Sequence, residues 1–408
     1  MTLAADTVRE HRRIGEAVTY AAFGIGSYLL FRFSGLDAHI TWAHCAVIGY
    51  LVAALLSVGP ASDPRMARIA AITGAVVVPF VMLLDGHHQV QNEVGVISRS
   101  GELLLSSGIP YVHDATTLGD INPYLPFMSV FGIPAALVAR THGAGSAIWS
   151  AVGDPRIWCA LIAIAGIIGS MRLLRARSQT SRTVAVLLLA SPTIALEMCA
   201  SGVDLPLAGL LLLGLTLAAT RRPALGALCI GAAFAIKWVA IICVPVIVAM
   251  LVVKYGRRAA VRFATVFSAT AALLILPAMF SLTDAVHQVL EFPTGNGDVS
   301  TPARSELPGV LIASLGPTGR VVDIALLGVC ASAIVVWLIR RPPATFAAAA
   351  TIAGCGFTCF FLLAPVGRFG YMLLPILLFG LAYIARINDR RPVAYPADSG
   401  RVTRRTVT

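Results

Sequence analysis

The apolar residues of this chain fall into unbroken blocks, each close to the ~20 residues that a helix needs to cross a bilayer. The blocks run at about 17 to 33, 41 to 59, 69 to 84, 123 to 140, 157 to 173, 184 to 200, 204 to 219, 225 to 252, 259 to 279, 322 to 339, 344 to 363 and 369 to 386. A backbone in lipid must satisfy its own hydrogen bonds, so continuous blocks predict helices, and the lack of alternation excludes a membrane barrel. Charged residues are 12% of the chain, about half of what a water-facing surface carries, which excludes an ordinary soluble core. The expected fold class is an all-α polytopic membrane protein of about eleven transmembrane helices, give or take one.

The formal charge is +11, and 29 of the 31 basic residues are arginine. Their placement excludes nucleic acid as a partner, because pairs such as Arg221-Arg222, Arg257-Arg258, Arg340-Arg341 and Arg390-Arg391 sit at the ends of apolar blocks, as positive-inside anchors do. That rule puts residues 1–16 and the basic tail 387–408 in the cytoplasm, on either side of a bundle over 17–386. It leaves two larger external loops, at about 85–122 and 280–321. With no cleavable signal evident, the first block is expected to stay as a span. The eight cysteines all fall inside apolar blocks without metal-like spacing, and read as small buried hydrophobes.

The count of spans does not close. Two full crossings after residue 122 would leave the Arg172–Arg182 cluster outside, so one of the blocks at 123–140 and 157–173 is expected to be re-entrant or short. Pro123, Pro126 and Pro134 point to the first. The block at 225–252 is basic at both ends and too long for one upright helix, which predicts a broken hairpin around Lys237. No fixed-period repeat and no pair of matching halves is apparent.

Ionisable groups in or beside hydrocarbon are costly and therefore candidates for function. These are Glu197, Asp204, Lys237, Asp323 and Arg368. Glu197 and Asp204 flank a Ser201-Gly202 break and read either as functional groups or as helix caps. Asp323, just inside a span start, reads as a capping or snorkelling residue. Lys237 lacks a carboxylate nearby in sequence; it needs a phosphate, a remote acid or a route to the surface. Arg368 sits in a Gly-flanked turn, Gly367-Arg368-Phe369-Gly370-Tyr371, suited to a bidentate phosphate contact or to a plain interfacial belt with Tyr371.

In the first external segment, a helix over 93–106 aligns Glu93 with Val96, Ile97, Ser100, Leu103 and Leu104 and turns Arg99 and Glu102 to the far side. A carboxylate facing an apolar surface can act as a general base; one in a first helical turn can also simply complement the dipole. Asp85, followed by His87 and His88, is the rival base. The spacing of that trio speaks against a metal site, and none is expected. Asp114 and Asp120 read as turn residues ahead of Asn122-Pro123.

Three stretches together resemble the first external loop of GT-C glycosyltransferases: Glu93-Val94-Gly95-Val96, the run Leu103-Leu104-Leu105-Ser106-Ser107-Gly108-Ile109-Pro110-Tyr111, and Asn122-Pro123-Tyr124-Leu125-Pro126. The resemblance is to the actinobacterial polyprenyl-phosphate-mannose-dependent mannosyltransferases, glycosyltransferase family 87. Arg222-Pro223 through Lys237-Trp238 is similar to that family's arginine-proline, apolar, lysine span, and Ser300-Thr301-Pro302 through Pro308-Gly309 falls in its late external loop. The family's usual acid is aspartate where this chain has Glu93, and Leu125 splits its proline pair.

The resemblance implies a GT-C-like bundle and an inverting transfer of a sugar, mannose first. The donor would be a polyprenyl-phosphate sugar and the acceptor a lipid or envelope glycan, at the outer face of a bacterial plasma membrane, with no cofactor. It implies Glu93 as the base and Lys237 and Arg368 at the leaving phosphate, with Tyr371, Arg99, Asn122, Tyr124 and Asp204 as further substrate-binding candidates. A transporter or flippase of a lipid-linked precursor, and a non-catalytic subunit of an envelope-building complex, are the competing readings.

Overall fold

Where a chain has only apolar side chains to offer a membrane, helices alone close the backbone's hydrogen bonds. The computed structural model describes residues 2–58, 63–84, 91–142, 147–303 and 305–389, and among these every regular element is helical. The first three helices are α1 (Thr2–Phe33), α2 (Asp37–Val58) and α3 (Pro64–Leu84), the last loosened by a π turn at Thr73–Val77. A surface helix α4 (Asn92–Ser107) follows, then α5 (Ile133–His142) behind a 3-10 turn at Pro126–Gly132, and α6 (Ala147–Gly153). The bundle continues with α7 (Pro155–Leu173), α8 (Gln179–Leu189), α9 (Pro192–Ala200), α10 (Leu205–Ala219), α11 (Pro223–Ile236), α12 (Cys243–Tyr255) and α13 (Arg257–Met279). It closes with α14 (Pro317–Arg340), α15 (Phe346–Leu363) and α16 (Leu373–Asp389). The N-terminal helix already begins at Thr2, well ahead of the apolar block at 17.

Among the described residues nine helices are long and apolar enough to cross a membrane, or ten with the pair α8 and α9, bent by 53°, taken as one span. The shorter α10 and α11 join the same two ends of the molecule and bring the passes to twelve. At 15 and 14 residues they are about 22 Å long, less than a lipid-facing helix needs. They stand in the middle of the bundle, where most of α10 is buried and neighbouring helices replace lipid.

The two problem regions of the sequence resolve the count. Lys254 Nζ and Tyr255 OH both donate to the Ala219 carbonyl, at 2.8 and 2.6 Å, so the end of α12 returns to the start of α11. The block at 225–252 is therefore a broken hairpin. Its apex is Lys237, whose extended backbone (φ −150°, ψ 124°) interrupts the helix before a 3-10 turn at Trp238–Ile242. The segment 123–153 leaves and returns at one end. Leu125 N–H donates to Ile236 O beside that apex, while Asp154 holds Arg156, which bonds Leu83 O and Cys199 O at the same end. It is re-entrant, as its prolines predict, and the Arg172–Arg182 cluster falls at the opposite end with Arg221, Arg222, Arg257 and Arg258.

Two packed clusters hold the helices. The larger joins α7 through α16; the smaller unites α1 to α3 with α9 around Tyr20, Trp42 and Tyr50. Small residues set the close approaches, as at Gly49 against Gly74 and Gly166 against Gly209, where any Cβ would strike backbone. Trp42 Nε1 donates to Ala75 O at 2.7 Å, and Tyr50 OH donates to Ala190 O. Arg156, only 2% exposed, ties α7 to α3 and α9 through Leu83 O (3.0 Å) and Cys199 O (2.6 Å), neutralised by Asp154 at 2.6 Å. The eight cysteines are unpaired and buried or half-buried.

Asp323 departs from expectation. It lies fully buried in the second turn of α14 with neither carboxylate oxygen hydrogen-bonded, so it neither caps nor snorkels. The span itself starts at Pro317, which shortens the second external loop from the expected 321.

Candidate functional site

At the end of the bundle opposite the arginine clusters, chain breaks from five segments bring charged side chains together. Helix α4 is docked by its N-cap residue: Gln91 N–H donates to Ala200 O at 3.3 Å, and its amide nitrogen lies 2.7 Å from His39 Nε2 at the start of α2. Glu93 then stands in the first turn of α4, where the helix dipole favours a carboxylate. Its Oε1 accepts from Nη1 of Arg368, in the loop before α16. That loop is fixed by the second external segment, since Gly367 exchanges backbone bonds of 3.0 Å with Ala303 and Ser305, and Ser305 Oγ accepts from Phe369 N–H. The first loop, the late loop and the last span thus meet at one ion pair.

A second pair sits beside it. Lys237 Nζ donates to Asp204 Oδ1 at 2.9 Å and lies 4.2 Å from the ring centre of Tyr371 and 5.9 Å from that of Tyr124. Asp204 is at the N-terminus of α10 but makes no cap bond with its side chain, so its carboxylate belongs to the lysine. Of the partners open to Lys237, the remote acid is the one realised, 33 residues back in the chain. The two pairs are neighbours: Arg368 is within electrostatic reach of Lys237, Tyr124 and Tyr371, and Tyr124 is within reach of Glu93 and Asp204. Aromatic rings continue the wall, with Phe361 at 5.3 Å from Tyr371 and Phe360 at 5.7 Å from Trp238.

The remaining candidates divide. Tyr124 is buried inside the cluster and held there by its own N–H to Asn122 Oδ1 (3.2 Å) and by Tyr111 OH to its carbonyl (3.1 Å). Asn122 spends its amide on Pro110 O (3.0 Å) and on Tyr124 N–H, and therefore builds the loop that carries Tyr124. Arg99 makes no ion pair with Glu93 among the described residues; it is within electrostatic reach of Asp120, with Nη2 buried and unbonded. Asp120 accepts from Thr117 Oγ1 at 2.6 Å, and Asp114 adopts φ 48°, both turn geometries. Asp85, His87 and His88 lie outside the described residues. Two side chains join the site that the sequence reading did not assign to it: Glu197, within electrostatic reach of Asp204, Glu93 and Arg368, and His39, near Arg368 and Glu93. Glu197 was visible as an intramembrane acid; His39 carried no signal.

Buried ion pairs are weak devices for stability, and two of them bridging separate segments beside breaks in helices mark a candidate site. Fold and site together define a polytopic membrane protein with a charged cluster at one end of an apolar bundle. The family model of glycosyltransferase family 87 matches residues 122–365, more than half of the chain, and the chain belongs to that family; it is a glycosyltransferase of the membrane. No curated protein matches it. The matched region holds Tyr124, Glu197, Asp204 and Lys237 and stops short of Glu93 on one side and Arg368 on the other.

Proposed function

We propose that this glycosyltransferase moves a sugar, mannose first, from a polyprenyl-phosphate donor to a lipid or envelope glycan acceptor by inversion, at the outer face of a bacterial plasma membrane. The observation that carries the reading is the convergence of Glu93, Arg368 and Lys237 at the end of the bundle away from the arginine clusters. By the positive-inside rule that end faces outward.

The chemistry asks for a proton acceptor and for positive charge at the leaving phosphate. The acceptor hydroxyl gives its proton to Glu93 as its oxygen bonds to the anomeric carbon, and the bond from that carbon to the phosphate oxygen breaks. The electron pair leaves with the phosphate, where the growing charge meets Lys237 and Arg368. Each cation keeps spare donors for this: an ammonium has three N–H groups and a guanidinium five, and Asp204 and Glu93 engage only some. The resting ion pairs hold both cations in place without substrate, which avoids leaving charge unpaired near lipid. Tyr124 and Tyr371 wall the head group, and the apolar bundle receives the prenyl tail.

The test is a structure of the protein with a prenyl phosphate added. Phosphate density between Lys237 Nζ and the Arg368 guanidinium supports the reading; density elsewhere on the bundle, with these pairs unchanged, refutes it.

A further inference from the structure

Three carboxylates and two cations make up the cluster, and the carboxylate left over is Glu197. Glu93 is matched to Arg368 and Asp204 to Lys237, whereas among the described residues no ion pair reaches Glu197. Among the described residues its side-chain partner is Ser201, whose hydroxyl donates to Oε2 at 2.5 Å. The other oxygen, Oε1, faces Gly370, two residues beyond Arg368 and next to Tyr371, and a Cβ at Gly370 would overlap that oxygen. The glycine thus makes room for an oxygen that accepts no hydrogen bond among the described residues, on a helix whose end also holds the N-cap residue of α4 through Ala200 O.

We propose that Glu197 is a sugar-binding residue, accepting a hydrogen bond from a ring hydroxyl of the donor sugar. The proposal rests on the donor reading above and adds the group that recognises the sugar. An unpaired carboxylate repels the phosphate, so its partner is a neutral donor, and vicinal hydroxyls are the donors that a glycosyl phosphate carries. The sugar is bonded directly to the phosphate, and Glu197 is within electrostatic reach of Asp204 and of Arg368, the groups flanking the phosphate position. The hydroxyl on the carbon next to the anomeric centre is the sugar's donor nearest to the phosphate, whereas the prenyl units carry no donor at all.

The experiment measures binding of two short-chain probes to purified protein, prenyl phosphate alone and prenyl-phosphate mannose, with prenyl-phosphate arabinose as a second sugar. In the wild type the mannose probe binds more tightly than the bare phosphate. Glu197→Gln weakens the mannose probe about tenfold and leaves the bare phosphate within about twofold, because only the sugar contact is lost. Gly370→Ala, whose methyl displaces Oε1, gives the same pattern and guards against misfolding of the first variant, which a thermal melt reports. Equal binding of the sugar probes and the bare phosphate by wild type and variants, or an equal loss for all probes, overturns the assignment. Failure of the wild type to bind bare prenyl phosphate overturns the donor reading itself.

Discussion

The two ion pairs of the site differ in burial and in how far apart along the chain their partners lie. Lys237 and Asp204 are 16% and 6% exposed, stand at the ends of the neighbouring helices α11 and α10, and lie within the segment that the family model matches. Arg368 and Glu93 are 30% and 15% exposed, come from a loop and a helix start 275 residues apart, and lie outside it. The inner pair is the kind that a bundle must keep matched whether or not substrate is present. The outer pair parts at lower cost, because its two side chains are the more exposed to solvent. Under the proposed mechanism the base is the more exposed acid, that of the outer pair, whose Oε1 alone accepts from Arg368.

The largest effect should come from breaking the inner pair. Asp204→Asn leaves a buried ammonium without its counter-charge and is expected to cost about 3–5 kcal/mol, read as a fall in unfolding temperature in detergent. Replacing both partners, Lys237→Met with Asp204→Leu, should recover most of that stability while transfer stays absent; a double variant as unstable as the single one would contradict the distinction. Next comes Arg368→Lys, which keeps charge but loses the planar fork. Transfer should fall roughly 10- to 100-fold, about 1.4–2.7 kcal/mol at the transition state, with little change in the melt. Gln91→Ala removes the bond to His39 that docks the start of α4, and should cost about 1 kcal/mol or less, together with a modest drop in rate as Glu93 loses its alignment.

The smallest effect lies in the loop behind α4. His113 Nδ1 is 3.1 Å from Asp284 Oδ2, and that bond, with Asp114 nearby, raises the imidazole above its ordinary 6.5. Ser281, His113 and the Asp114 N–H together hold the Asp284 carboxyl below its ordinary 3.8, overcoming the opposing effect of burial. A raised histidine stabilises fully below pH 6.5 and ceases to as pH climbs through its folded value; a depressed aspartate does so above 3.8 and fails as pH falls through its own. The tie is therefore strongest between those two values and loosens on the alkaline side. Titration of His113 by proton NMR should show a midpoint above 6.5, and Asp284→Asn should return it toward 6.5; an unchanged midpoint would remove this tie.

Much of the fold was legible because hydropathy and arginine placement are local signals. The prolines of 123–134 announced a segment that does not cross, and a lysine flanked by basic ends announced a hairpin apex. The helix carrying Glu93 was visible from its apolar face, and spans Asn92–Ser107 against the expected 93–106. The short central helices α10 and α11 were harder to count, since the rule of ~20 residues applies to helices facing lipid and these face protein. The pairing of the site was illegible. Nothing near Lys237 in sequence names Asp204, nothing near Glu93 names Arg368, and the role of Asn122 as a loop builder depends on bonds that only the folded loop makes. Glu197 could be singled out as an acid in an apolar block, but its lack of a cation is a fact of three dimensions.

The central claim is that Glu93 takes the acceptor's proton in a site shared with Arg368 and Lys237. Glu93→Gln keeps the shape and a hydrogen bond to Arg368 while removing the basic oxygen. Transfer from a polyprenyl-phosphate sugar by the purified variant should fall by at least about 100-fold, the scale of a lost general base, with the melting temperature nearly unchanged. Full activity in a folded Glu93→Gln protein would contradict the account.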